Sequence, residues 1–114
     1  MPESIEIETL NSLAGQMGGR EALGRIIGMY TGKLPSEIDE LRSALESGDM
    51  DGLQAGAHRL KSSSGQLGAR RLGVMLAGLE VSSREKDAEA AGRILAEVTT
   101  EADRVRSELE SISP

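Results

Sequence analysis

With 114 residues, 38% of them apolar, the chain can fill one hydrophobic core but not two, so a single domain over residues 1–114 is expected. It has no cysteine, which excludes disulfides, thiolate metal sites and cysteine nucleophiles, and its one histidine leaves little material for a metal cage, so no metal site is expected. Tyr30 is the sole aromatic residue and the formal charge is −6, so the stacking platforms and basic surface of nucleic-acid binders are missing.

No run of about 18 apolar residues occurs, and Met1, Pro2, Glu3 and Ser4 do not begin a basic-then-apolar secretory pattern. A soluble, cytoplasmic protein without a membrane segment is expected. Apolar residues recur at the three-to-four-residue spacing of amphipathic helices, and no segment alternates with period two. The fold class predicted is all-α.

Ile7, Leu10, Leu13 and Met17 mark a short first helix that Gly18-Gly19 ends. From Glu21, the stripe Leu23, Ile26, Ile27, Tyr30, Leu34, Ile38, Leu41 and Leu45 predicts a long second helix stopping at Gly48. Pro35 lies inside it and predicts either a bend or two abutting helices, because proline lacks an amide donor and crowds the preceding turn. Asp49 caps a third helix with the buried stripe Leu53, Ala57, Leu60, Ser64 and Leu67, ending at Gly68.

Leu72, Met75, Leu76 and Leu79 define a fourth helix from about Ala69, closed by the polar stretch Ser82 to Lys86, and Asp87 caps the fifth. The fifth repeats Ala91, Leu95, Val98, Ala102, Val105, Leu109 and Ile112 in a coiled-coil-like seam, its other positions being mostly charged. Short connections favour an antiparallel up-down-up-down four-helix bundle over about residues 20–112, with the short first helix across one end. The terminal seam is also compatible with dimerisation, but packing within the chain is its plainer use and a monomer is expected.

Between Asp51 and Glu80 there is no carboxylate, yet Arg59, Lys61, Arg70 and Arg71 lie there with His58. This basic window in an acidic chain is either accidental or an electrostatic match to an acidic partner. At 100° per residue, His58 sits about 140° from the buried stripe of its helix, so it points to solvent. Lys61 at about 80°, Gln54 at about 100°, Gly65 at about 120° and Ser62 at about 180° surround it.

An exposed imidazole, whose ordinary pKa is about 6.5, offers a lone pair that can attack phosphorus near neutral pH. Lys61 can offset the charge of the phosphoryl oxygens, while the small Ser62 and Gly65 leave a flat surface for an approaching carboxylate. A His-x-x-Lys pair also occurs on ordinary solvated helix faces. The glycine argues otherwise: Gly65 costs a helix interior about 1 kcal/mol relative to alanine and follows three serines, so something besides helix stability keeps 62–65 small.

The stretch His58-Arg59-Leu60-Lys61-Ser62-Ser63-Ser64-Gly65-Gln66-Leu67-Gly68-Ala69 resembles the signature of histidine phosphotransfer (HPt) domains, His-x-Leu-Lys-Gly-Ser-small-x-x-Leu-Gly-Ala. Tyr30 stands where the family commonly has an aromatic; Leu41 to Asp49 and the pair Leu79-Glu80 also match, so the resemblance covers about residues 20–110. Ser62 replaces the commoner glycine, a small-for-small change.

The resemblance implies that His58 is the phosphoacceptor and Lys61 the phosphate-stabilising cation, with Gln54, Arg59, Ser62, Gly65 and Gln66 on the docking face. It implies a phosphoryl carrier, not an enzyme in its own right. His58 would accept the group from a receiver-domain aspartate or a kinase and relay it to another response regulator. Its partners would be response-regulator receiver domains or a hybrid sensor histidine kinase, and the receiver would supply Mg²⁺; no cofactor is expected on this chain. Leu10, Leu13 and Ile26 are further candidates for the docking face. The alternatives are the phosphoacceptor domain of a chemotaxis-type kinase and an adaptor bundle that binds a receiver without accepting phosphate.

Overall fold

The computed structural model describes residues 4–112; Met1, Pro2 and Glu3, read above for a secretory pattern, and Ser113 and Pro114 lie outside them. Five helices follow in order: α1 (Ile7–Met17), α2 (Arg20–Ser47), α3 (Met50–Gln66), α4 (Arg70–Arg84) and α5 (Ala88–Ile112). No strand occurs among the described residues.

The predicted punctuation sits at these boundaries. Gly18 and Gly48 close α1 and α2 in the left-handed conformation, at φ 92° and 77°. The Asp49 side chain accepts the Gly52 amide proton at 2.9 Å, and that of Asp87 accepts from the Ala90 amide at 3.1 Å.

α2 runs unbroken through Pro35, so of the two readings of that proline the abutting-helix one is not what forms. Pro35 has no proton to give the carbonyl one turn back, but Leu34 and Ile38 on either side of it are buried, and their packing holds the helix through the gap. α4 ends at Arg84, inside the polar stretch Ser82 to Lys86 expected to close it. Ser82 and Ser83 lie in its last turn, buried, and both hydroxyls donate to the Leu79 carbonyl, at 3.1 and 2.7 Å, so their polarity is satisfied within the helix.

α2, α3, α4 and α5 form a ring in which each packs on two neighbours, while α1 touches α2 and α3. The predicted apolar stripes supply the core, including Leu53, Leu60, Leu72, Leu79, Val98 and Leu109. Leu10, proposed above as a docking residue, is 2% exposed and belongs to this core. Glu101 departs from the solvent-facing pattern of charges on α5: it is fully buried, with Oε1 3.4 Å from both Arg71 and Arg104, and Oε2 has no hydrogen-bond partner among the described residues.

The segment before α1 is fastened at two points. The Glu6 amide donates to the Gly68 carbonyl at 2.8 Å, and the Ser4 and Ile5 amides donate to the Glu108 carboxylate at 2.9 and 3.2 Å. Gly68, at φ +82°, is required twice over, since a Cβ there would lie 2.8 Å from the Glu6 carbonyl oxygen. These bonds seat α1 beside the turn that joins α3 to α4.

Candidate functional site

His58 lies on the outer face of α3 with its side chain 61% exposed, as the helical arithmetic requires. Its Nδ1 is 3.0 Å from Glu80 Oε2, and the other oxygen of that carboxylate is 2.6 Å from Lys61 Nζ. One α4 glutamate thus bridges the two α3 residues singled out from the sequence. Glu80 is only 13% exposed. The Lys61 ammonium beside it holds its carboxyl below the usual glutamate range; burial opposes that, and the hydrogen bond with His58 adds to it.

Glu80 is the site residue that the sequence reading missed, having placed it only in a Leu-Glu pair. A signal existed: His58 is eleven residues before Ala69 and Glu80 eleven after it, so folding the chain back at that turn brings them level.

The other singled-out residues divide between two sides of the imidazole. Ser62 and Gly65 are exposed, and a Cβ at Gly65 would meet nothing within 4 Å, so the surface there is open. The Ser62 hydroxyl turns back to the His58 carbonyl at 3.3 Å. Gln54 is half-buried one turn before His58. Arg59 and Gln66 line a separate groove of about 650 Å³ between α1, α2 and α3, whose apolar lining includes Leu13, Met17, Ile26 and Met29. Two of the predicted flanking residues, Leu13 and Ile26, therefore do lie on this exposed concave surface. Met29, which the sequence reading did not single out, is 62% exposed there.

Beneath this face, the Tyr30 hydroxyl and Ser64 Oγ share a buried hydrogen bond of 2.6 Å. Burial pushes the Tyr30 phenol up to about 12, against the smaller opposing effect of that bond.

A solvent-facing imidazole, backed by a carboxylate and an ammonium, thus lies open on the surface of a helical bundle. The Hpt domain family profile matches residues 25–108. The chain belongs to this family, the histidine phosphotransfer domains of phosphorelays.

Solved structures with the same fold include histidine-containing phosphotransfer protein B from Pseudomonas aeruginosa, at 22% identity and TM-score 0.92, covering 99% of this chain and 96% of that one. A second, described as a putative histidine-containing phosphotransfer protein from rice, has 18% identity and TM-score 0.84, covering 95% and 78% of the two chains. The HPT domain of a hybrid histidine kinase from Shewanella has 15% identity and TM-score 0.80, covering 96% and 92%. No curated protein matches the chain. Among the described residues, no helix is long and apolar enough to cross a membrane.

Proposed function

We propose that His58 accepts a phosphoryl group on Nε2 from a receiver-domain aspartate or a kinase and relays it to another response regulator. The observation that carries this reading is the 3.0 Å contact between His58 Nδ1 and Glu80 Oε2. A carboxylate held ionised can only accept, so the proton sits on Nδ1 and the lone pair on Nε2. The side chain is mostly exposed, so that lone pair is available to an incoming phosphorus.

Transfer is an in-line displacement helped mainly by positioning and charge neutralisation. Lys61, within reach of the same carboxylate, is the cation on this chain that offsets the phosphoryl charge. The receiver is expected to bring its own aspartate and Mg²⁺. Receiver domains and hybrid kinases are partners of Hpt domains.

The docking face combines the open Ser62–Gly65 surface with Gln54, Arg59 and Gln66 and the adjoining apolar groove. Its basic residues suit an acidic partner. The bundle reads as antiparallel, up-down-up-down, with α1 across one end. Two pairs support opposite senses for α2 and α3: Tyr30 with Ser64, and Leu41 with Gly56, where a Cβ would lie 2.9 Å from the leucine. Arg71 with Glu101, and Gly78 with Ile94, do the same for α4 and α5. A monomeric, single-domain cytoplasmic carrier is the accompanying proposal.

Phosphotransfer profiling tests the assignment. Candidate phosphorylated receivers and hybrid kinases are incubated with the chain, and an acid-labile, alkali-stable label on His58 is expected from at least one. His58→Gln should abolish that label with helix content unchanged. Full labelling of His58→Gln would refute the reading.

A further inference from the structure

We propose that Glu80 is a positioning residue that keeps the Nδ1 proton on His58 after phosphorylation as well as before it, so that the phosphoryl group departs without a proton having to be recovered from solvent. This rests on the reading of His58 as the phosphoacceptor.

In the accepting step, the Nε2 lone pair forms a bond to phosphorus, and the P–O bond to the donor carboxylate breaks with its electron pair leaving on that carboxylate. The ring then carries hydrogen on Nδ1 and phosphorus on Nε2, with a positive charge spread between them. Unopposed, such a ring loses the Nδ1 proton as pH rises. It would then have to leave phosphorus as an imidazolate, a strong base and a poor leaving group. In the donating step with the proton retained, an acceptor carboxylate oxygen bonds to phosphorus, the N–P electron pair returns to Nε2, and a neutral imidazole remains. No proton enters or leaves in either direction.

The geometry suits this role. Glu80 Oε2 is 3.0 Å from Nδ1, so its negative charge lies beside the ring charge that phosphorylation creates. Lys61 at 2.6 Å keeps the carboxylate charged, so that it holds the proton without taking it. Among the described residues, the ionic partners of Glu80 are these two α3 side chains. Arg59 is turned to the groove on the α2 side, and the exposed Arg84 lies one turn beyond Glu80 on α4.

The test uses the full chain, ¹⁵N-labelled at histidine and phosphorylated with potassium phosphoramidate, which needs no partner. Nitrogen NMR follows the ring of phosphorylated His58 from pH 6 to 9. In Glu80→Gln, which retains an acceptor but no charge, the midpoint for loss of the Nδ1 proton should fall by about one pH unit, a tenfold weaker hold. Coincident midpoints in the two chains would overturn the proposal. A comparison needing no variant is a phosphorylated peptide spanning residues 55–61: the intact chain should lose its proton at higher pH than the peptide, and equal midpoints would overturn the proposal as well.

A purely structural Glu80 would lower transfer to a receiver equally at every pH. Retention of the proton instead predicts a flat rate in the parent chain between pH 6.5 and 8.5, and a rate that falls with rising pH in Glu80→Gln. If no receiver or kinase labels His58 in the parent chain, the phosphoacceptor assignment fails. Normal labelling with coincident midpoints removes the role of Glu80 alone.

Discussion

Tyr30 and Ser64, thirty-four positions apart, join α2 to the core-facing side of α3 through a 2.6 Å buried hydrogen bond. Tyr30→Phe leaves the Ser64 hydroxyl buried and unpaired, and should cost about 1–2 kcal/mol in denaturant unfolding. Adding Ser64→Ala should recover part of that loss. Because Tyr30 is the one aromatic residue, absorbance titration reads it alone. Its phenol should stay protonated through pH 10 and ionise near 12. The folded value lies above the unfolded one, so this contribution is intact below about pH 10 and is lost as pH rises towards 12.

Acid should act in the opposite sense through Glu80. Its folded carboxyl titrates below the ordinary glutamate value, so its stabilising contribution is present above about pH 4.3 and disappears as pH falls through the lower folded value. Urea unfolding from pH 7 to 3 should show Glu80→Gln less stable than the parent at neutral pH and the two converging in acid. A constant difference across the range would disprove the linkage.

Lys61→Ala removes the cation from the site and leaves Glu80 with His58 as its remaining ionic partner. With Lys61 half-buried, single-turnover transfer should slow, or the phosphorylated state shorten its lifetime, by about tenfold. Unchanged kinetics and lifetime would remove its role.

Gly65 separates access from stability. A Cβ there meets nothing, so Gly65→Ala should stabilise the helix by about 1 kcal/mol. Gly65→Leu should retain helix content yet reduce transfer at least about tenfold by holding the receiver away from His58. Normal transfer by the leucine variant would refute the landing-surface argument.

Properties local to one helix follow from its own periodicity. The stripe through Leu53, Ala57, Leu60 and Ser64 fixes which way α3 faces the core, and with it the outward direction of His58 and the neighbourhood of Lys61 and Gly65. The Asp49 and Asp87 caps and the glycine stops are equally local, because each depends on residues within one turn. Periodicity does not say which residue of one helix meets which of the next.

That depends on the rotation and rise of two packed cylinders, set by how all their side chains interlock. Packing therefore decided that Glu80 joins His58 and Lys61, that Glu101 is buried against Arg71 and Arg104, that Leu10 is core, and that Leu13 and Ile26 line a groove with Arg59. The amino-acid sequence determined the outward imidazole and the small residues around it. The tertiary structure supplied the carboxylate behind the ring, because a contact across twenty-two residues exists only once α3 and α4 have packed.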